Sequence, residues 1–196
     1  KVLNWDKTST SLSPYSLISA GFTNYSTMQQ SNTRRICRSY MIDADSILPS
    51  TPDMLDRIRR VPMMDEYITR KLQQKAAGRV ADVDNPDGLA DGSLDTNLGL
   101  FRAYLKMWLD ANPNISHNND CFISTLAQTS SGIPLQVYCF TATSRWFPYE
   151  GIQSLVFEHI AAMLPRFELY TFENPSGRDT VVDGYLSPGR DIDRVF

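Results

Sequence analysis

The chain has 196 residues, 42% of them apolar, which fits one domain or two small ones with a substantial core. Its formal net charge of −3 excludes the strong basic bias of a nucleic-acid-binding surface. It contains no run of 18 or more apolar residues, so these residues are not expected to span a membrane. Because it begins at Lys1 without an initiator methionine, we expect a piece of a longer protein.

The first 30 residues are predicted to form only part of a β domain. Residues 2–12 are rich in Ser and Thr and predict an edge or surface strand. The residues that follow offer apolar side chains as core contacts, namely Leu17, Ile18, Phe22 and Tyr25. Since so few strands cannot close a β domain, we expect their partners upstream or in neighbouring subunits.

Residues 34–43, RRICRSYMID, predict a strand. One face carries Ile36, Tyr40 and Ile42, and the other carries Cys37, Ser39 and Met41. Both faces carry apolar residues, which predicts a strand covered on both sides.

Residues 44–95 are interpreted as an insertion. Thr51 and Pro52 are typical of a helix start. Residues 63–77 predict a second helix, ending at Gly78, with one apolar side formed by Met64, Tyr67, Ile68 and Leu72.

The acidic stretch after this helix does not match the pattern of a calcium-binding EF-hand loop, since counting from Asp82 places Pro86 at position five and Ser93 at position twelve. A solvated acidic loop is the better interpretation.

The remainder predicts helix, strand, strand, helix, strand. The first helix, over 98–109, begins after Asp95 or Thr96, and its predicted buried side is formed by Leu98, Phe101, Leu105, Trp108 and Leu109. Residues 121–128 and 133–143 predict two strands joined by a turn at 129–132. The second helix begins at Pro148 and ends at Pro165, and its apolar positions are Ile152, Leu155, Val156, Ile160, Met163 and Leu164. A short strand over 167–172 follows. Without the insertion, the order is βαββαβ, which predicts an α+β fold of the ferredoxin-like type.

Candidate chemistry is sparse. Cys37, Cys121 and Cys139 lack metal-binding spacing and are predicted to be buried thiols in a reducing compartment. A nucleophilic pair of His117 and Cys121 is a weak alternative because no third group orients it. His159 is predicted to be a core or edge histidine. The chain has no glycine-rich phosphate loop, and we predict no catalytic residue, metal or cofactor.

Several long segments carry a family resemblance. They are NWDKTSTSLSPYSLIS, TRRICRSYMIDADSI, TNLGLFRAYLKMWLDANPNI, GIPLQVYCFTAT and YEGIQSLVFEHIAAMLPRFEL. Together they resemble the cytoplasmic region of small-conductance mechanosensitive ion channels, most closely the miniconductance subfamily, over about residues 4–177. Cys37 stands where that subfamily commonly has Lys, and Pro165 interrupts a helix end usually free of proline.

The resemblance implies a bacterial inner-membrane channel whose membrane helices lie upstream and whose present part faces the cytoplasm. Residues 1–30 would be the end of the channel's β domain, 31–177 the ferredoxin-like domain with its insertion at about 44–95, and 178–196 a tail. Related channels are homoheptamers with a hollow vestibule, and they open under membrane tension in hypo-osmotic shock to release ions and small solutes. The resemblance therefore implies self-association, no nucleic-acid partner and no enzymatic activity. The alternatives are a regulatory domain that binds a small molecule at a subunit interface, and an enzyme using His117 and Cys121.

The resemblance also places Arg34, Arg35 and Arg38 at the junction that borders the side openings of such a vestibule. Strand alternation puts Arg34 and Arg38 on one face and Arg35 on the other, so at least one guanidinium is expected to face solvent. Such charges would favour anions in a narrow opening. The alternative is that the arginines pair with Asp43, Asp45 or other carboxylates and only hold the domains together.

Overall fold

The computed structural model describes residues 1–3, 8–11, 13–19, 26, 30–79 and 92–174. Near the amino terminus, β1 (Val2–Leu3) pairs antiparallel with β2 (Ser9–Thr10), and α1 follows at Pro14–Ser19. In the described part of the strand predicted over 2–12, two antiparallel two-residue strands replace a single strand, and residues 4–7 and 12 lie outside the described residues. The side chains predicted as core contacts there, those of Leu17, Ile18, Phe22 and Tyr25, lie outside what the structure describes.

The main sheet has three antiparallel strands, β3 (Arg34–Ile42), β4 (Phe122–Thr125) and β5 (Ile133–Thr141). Their spatial order is β3-β5-β4, so β5 lies in the centre and pairs with β3 along all nine residues. The last predicted strand is reduced to a bridge between Ile42 and Thr171, supported by a hydrogen bond from Phe172 N to Met41 O at 3.0 Å. The α+β class predicted from the sequence is confirmed.

Two long helices cover one face of this sheet. They are α4 (Asn97–Asp110) and α5 (Trp146–Met163), and a 3-10 turn, Leu164–Phe167, continues α5. Thr96 caps α4, since its Oγ1 accepts a hydrogen bond from Gly99 N at 3.0 Å. The predicted helix at 148 begins two residues earlier, at Trp146.

The insertion contains α2 (Pro52–Ile58) and α3 (Met64–Ala76). Thr51 Oγ1 accepts a hydrogen bond from Met54 N at 3.2 Å, which confirms the predicted cap. The buried side chains of both helices join the same apolar cluster as α4, α5 and the sheet: Met54, Ile58, Met64, Tyr67 and Ile68. The insertion is thus part of the main core. The acidic segment after α3 lies, for residues 80–91, outside the described part of the chain.

Three predicted burials are wrong. Leu72 is 39% exposed and Leu155 is 59% exposed, because each lies at the edge of its helix's apolar stripe. Cys37 is also exposed, in contrast to the buried Cys139 and half-buried Cys121. The reason is that β3 is not covered on both sides in the described structure: Ile36 and Ile42 face the helices, whereas Cys37 and Ser39 lie on an open face.

Candidate functional site

The three arginines predicted to border a side opening all lie on β3, but they lie on opposite faces of the sheet. Arg34 and Arg38 share the face of Ile36, which packs under the helices, and Arg35 lies on the opposite, open face. Arg35 and Arg38 are exposed, whereas Arg34 is half-buried. Arg34, Arg35 and Arg38 therefore do not form one cluster of guanidinium groups.

Arg34 is held between two aromatic rings at the start of α5. Its guanidinium carbon lies 4.4 Å from the ring centroid of Trp146 and 4.4 Å from that of Tyr149. The Tyr149 hydroxyl lies 3.2 Å from Arg35 O and 2.9 Å from Gln153 Oε1, its two hydrogen-bond acceptors. Burial raises the pKa of Tyr149, and the nearby Arg34 partly opposes that shift. Arg34 therefore ties β3 to α5, which is a structural role.

Arg35 lies on the open face of the sheet beside a row of aromatic rings. Its guanidinium carbon is 5.9 Å from the ring centroid of Tyr138. Tyr138 stacks on Phe122 at 4.6 Å between centroids and meets Phe140 edge-on at 5.6 Å. The strand register produces this row. Phe122 on β4 lies opposite Tyr138 on β5, and Arg35 on β3 lies opposite Phe140, the next residue on the same face of β5. This row could not be predicted from the sequence, because the sequence does not reveal the register of β3 and β4 against β5.

Arg38 borders a shallow cleft of about 370 Å³ between β3 and α5. Tyr40 and Phe157 stack in this cleft with their centroids 6.2 Å apart, and Gln153 lies at its side. Glu158 also lines the cleft.

The predicted alternative role for the arginines was pairing with Asp43, Asp45 or other carboxylates. Within residues 30–79 and 92–174, no carboxylate lies within ion-pair distance of Arg34, Arg35 or Arg38. Asp43 instead caps a 3-10 turn (Ala44–Ser46), where its Oδ1 accepts from Asp45 N at 3.2 Å. Arg35 and Arg38 therefore keep their charge available to solvent.

The His117 and Cys121 pair gains no support from its surroundings. His117 is exposed in the loop before β4. Burial raises the pKa of Cys121 to about 11, with a smaller opposing effect of Lys106. A nucleophilic thiol requires the opposite shift, because the thiolate is the reactive form. Burial also raises the pKa of Cys139, to about 12. Across the described residues, no group of three His, Cys, Asp or Glu side chains is placed to hold a metal ion.

His159 joins α5 to α4 through a hydrogen bond and a ring contact. Its Nε2 is hydrogen-bonded to Tyr104 Oη at 2.8 Å, and its ring stacks on Trp108 with centroids 3.9 Å apart. Desolvation lowers the pKa of His159 below 6.5 and so favours the neutral imidazole. Trp108, predicted on the buried side of α4, is instead half-buried and pairs with this histidine.

A lowered histidine pKa predicts that acid destabilises the fold. Above pH 6.5 the imidazole is neutral both folded and unfolded, so its contribution to stability is fully present. As pH falls below 6.5 the unfolded chain takes up a proton before the folded chain does, and stability is lost through this window. We expect urea midpoints of the wild type to fall more between about pH 7.5 and about pH 5 than those of His159→Gln. His117→Gln, which changes an exposed histidine, is the matched control and should keep the wild-type dependence. An equal slope for His159→Gln and wild type would contradict the assignment.

No protein-family model matches the chain. None of the helices in the described residues is long and apolar enough to cross a membrane.

Proposed function

We propose that the chain is the cytoplasmic vestibule portion of a tension-gated mechanosensitive ion channel that releases ions and small solutes in hypo-osmotic shock. The observation that carries the proposal is the resemblance to the miniconductance subfamily in several long, gapless segments over about residues 4–177. In one of these segments, TN-x-G, each of the three specified residues has a structural role at the start of α4. Thr96 caps the helix, Asn97 is a buried hydrogen-bonding centre, and a Cβ on Gly99 would lie 2.8 Å from Ser93 O.

The element order supports a ferredoxin-like domain as the frame of this vestibule. Without the insertion, the order is strand, helix, strand, strand, helix, and then the segment around Thr171. That segment bridges to the outer side of β3, so the spatial order runs 171, β3, β5, β4. This is the strand arrangement expected of a split βαβ unit.

The proposed function implies a division of the chain into domains, an oligomeric state and a cellular location. Residues 1–30 are the end of a β domain, 31–177 form the ferredoxin-like domain, and 178–196 are a tail. The intact protein is a homoheptamer of the bacterial inner membrane, anchored by helices upstream of Lys1, and this part faces the cytoplasm. The work of opening comes from membrane tension, so no cofactor and no catalytic group are required.

The test is electrophysiology on the full-length parent protein. Reconstituted into liposomes, it should give currents that appear under suction and disappear when suction is released. In cells lacking other tension-gated channels, it should raise survival of a sudden drop in osmolarity. The parent gene should also encode several apolar segments of about 20 residues upstream of this chain. A complete reading frame without such segments, or a full-length protein that gives no current at lytic tension, would overturn the proposal.

Within this proposal, Arg35 and Arg38 bias permeating ions toward anions. Both guanidinium groups are exposed, and positive charge around a narrow aqueous opening concentrates anions and repels cations. We expect Arg35→Glu and Arg38→Glu each to move the reversal potential under a salt gradient toward cation selectivity. Arg34→Glu is unsuitable because it would remove the contacts with Trp146 and Tyr149.

Arg79→Glu supplies the matched control for this measurement. It makes the same change of charge at an exposed position just after α3, outside β3. Its reversal potential should equal that of the wild type. If Arg35→Glu and Arg38→Glu also leave the potential unchanged, with normal expression and gating, the two arginines have no part in ion selectivity.

A further inference from the structure

A cavity of about 550 Å³ lies where the insertion meets the end of α5, and neither the vestibule nor the arginines of β3 account for it. The turn between α2 and α3 forms one wall, and the residues that follow α5 form the other. Arg57 and Arg60 reach it from the insertion, and Arg166 and Glu168 reach it from the carboxyl-terminal side. Residues more than a hundred positions apart therefore converge on one site.

The charge of this cavity is strongly positive for an acidic chain. Three arginines face it against a single glutamate, whereas the whole chain carries a net charge of −3. Arg57 Nη2 is 2.5 Å from Glu168 Oε1, so one arginine is already engaged. Arg60 and Arg166 are exposed, and no carboxylate of the described residues lies within ion-pair distance of either. Two guanidinium groups thus remain available to an incoming anion.

The rest of the lining is apolar. Val61 and Met163 are half-buried and pack against the main core, and Pro165 forms part of the same wall. None of the described lining residues is aromatic, so the wall suits an aliphatic group better than a stacked nucleobase.

The backbone on the carboxyl-terminal side is held in an unusual conformation. Glu168 has φ of 58°, in the left-handed region that non-glycine residues seldom occupy. Hydrogen bonds fix it there, since Glu168 N donates to Pro165 O at 3.1 Å and Asn97 Nδ2 donates to Glu168 O at 3.3 Å. The Glu168 carboxylate is paired with Arg57, and Arg60 and Arg166 lie beyond ion-pair distance of it. Strain of this kind is retained where the surroundings enforce it, and it concentrates at ligand sites.

We propose that this cavity binds a small organic phosphate with a short aliphatic body. Guanidinium groups bind phosphate through parallel, charge-assisted hydrogen bonds, and the apolar wall receives the aliphatic part. The bound phosphate joins α2 to the end of α5 and so fastens the insertion to the helix that it packs beside. The inference goes beyond the proposed channel function and does not depend on it, because binding is a property of the chain in solution.

The test is thermal unfolding and calorimetric titration of the 196-residue chain with glycerol 3-phosphate, inorganic phosphate and glycerol at constant ionic strength. Glycerol 3-phosphate should raise the midpoint saturably, inorganic phosphate should do so more weakly, and glycerol should have no effect. Arg60→Gln and Arg166→Gln should each weaken binding of glycerol 3-phosphate by about tenfold, the loss of one charge-assisted bond. Glu168→Gln removes the negative charge and should bind more tightly.

Arg79→Gln is the matched control, an exposed arginine outside the cavity, and it should bind as the wild type does. A second arm uses vesicles of phosphatidylglycerol against phosphatidylcholine. Binding to the anionic vesicles alone, lost in Arg60→Gln and Arg166→Gln, would identify a lipid headgroup as the source of the phosphate. The proposal is overturned if glycerol 3-phosphate and anionic vesicles both fail to bind, or if Arg79→Gln weakens binding as much as Arg60→Gln and Arg166→Gln.

Discussion

Replacing Asn97 with alanine is expected to lower the free energy of unfolding by about 2–4 kcal/mol. Asn97 is fully buried at the first position of α4. Its Oδ1 accepts from Leu48 N at 2.9 Å, and its Nδ2 donates to Ser46 O at 2.8 Å and to Glu168 O at 3.3 Å. One side chain therefore joins the start of the insertion, the first long helix and the carboxyl-terminal segment. Alanine would leave these backbone groups without their partner, and a buried unsatisfied group costs about 1–3 kcal/mol.

The measurement is urea unfolding of the variant beside Asn114→Ala, which removes the same amide from an exposed position. Asn114→Ala should remain within about 0.5 kcal/mol of the wild type, as surface substitutions usually do. Equal midpoints for the two variants would show that the hydrogen bonds of Asn97 contribute nothing to stability.

Replacing Ile160 with alanine is expected to cost about 2–5 kcal/mol, the range for emptying a buried large aliphatic side chain. Ile160 is fully buried in the cluster formed by α4, α5 and the sheet. Its face of α5 also carries Val156, one turn earlier and equally buried. Alanine would leave a cavity that the packed surroundings fill only in part.

Leu155→Ala is the control for this prediction because it also removes a large aliphatic side chain from α5. Leu155 is 59% exposed, so its loss should change the free energy of unfolding by no more than about 0.5 kcal/mol. Five positions along a helix turn the side chain by about 140°, which takes Leu155 away from the face of Ile160. If the two variants lose the same stability, the orientation of α5 is wrong.

Most of the local structure could be predicted from patterns of neighbouring residues along the chain. Thr96 and Thr51 were identifiable as caps because a hydroxyl that accepts from a backbone N–H two or three residues on is a local feature. The strand over Arg34–Ile42 and the buried stripe of α4 followed from the spacing of apolar residues, which depends only on the repeat of each element. The α+β class followed from the order of the elements.

Which surfaces of the helices and strands are covered depends on tertiary packing, and it could not be predicted from the sequence. Cys37 was predicted to be buried, yet it is exposed because both long helices lie on the other side of β3. Leu155 was placed on the buried stripe, since neighbouring Leu155 and Val156 are both apolar and the sequence offers no means of choosing between them. Arg34 proved to be held between Trp146 and Tyr149, which are distant in sequence.

The aromatic row beside Arg35 and the arginine-lined cavity also depend on tertiary packing, and the sequence did not indicate either of them. The aromatic row beside Arg35 depends on the register of three strands, and a shift of one residue would send it to the opposite face. The arginine-lined cavity depends on contact between residues 57–60 and residues 166–168. Periodicity and capping report only on neighbours along the chain, whereas burial and charge clusters arise from contacts between distant segments, and those contacts form only when the helices pack on the sheet.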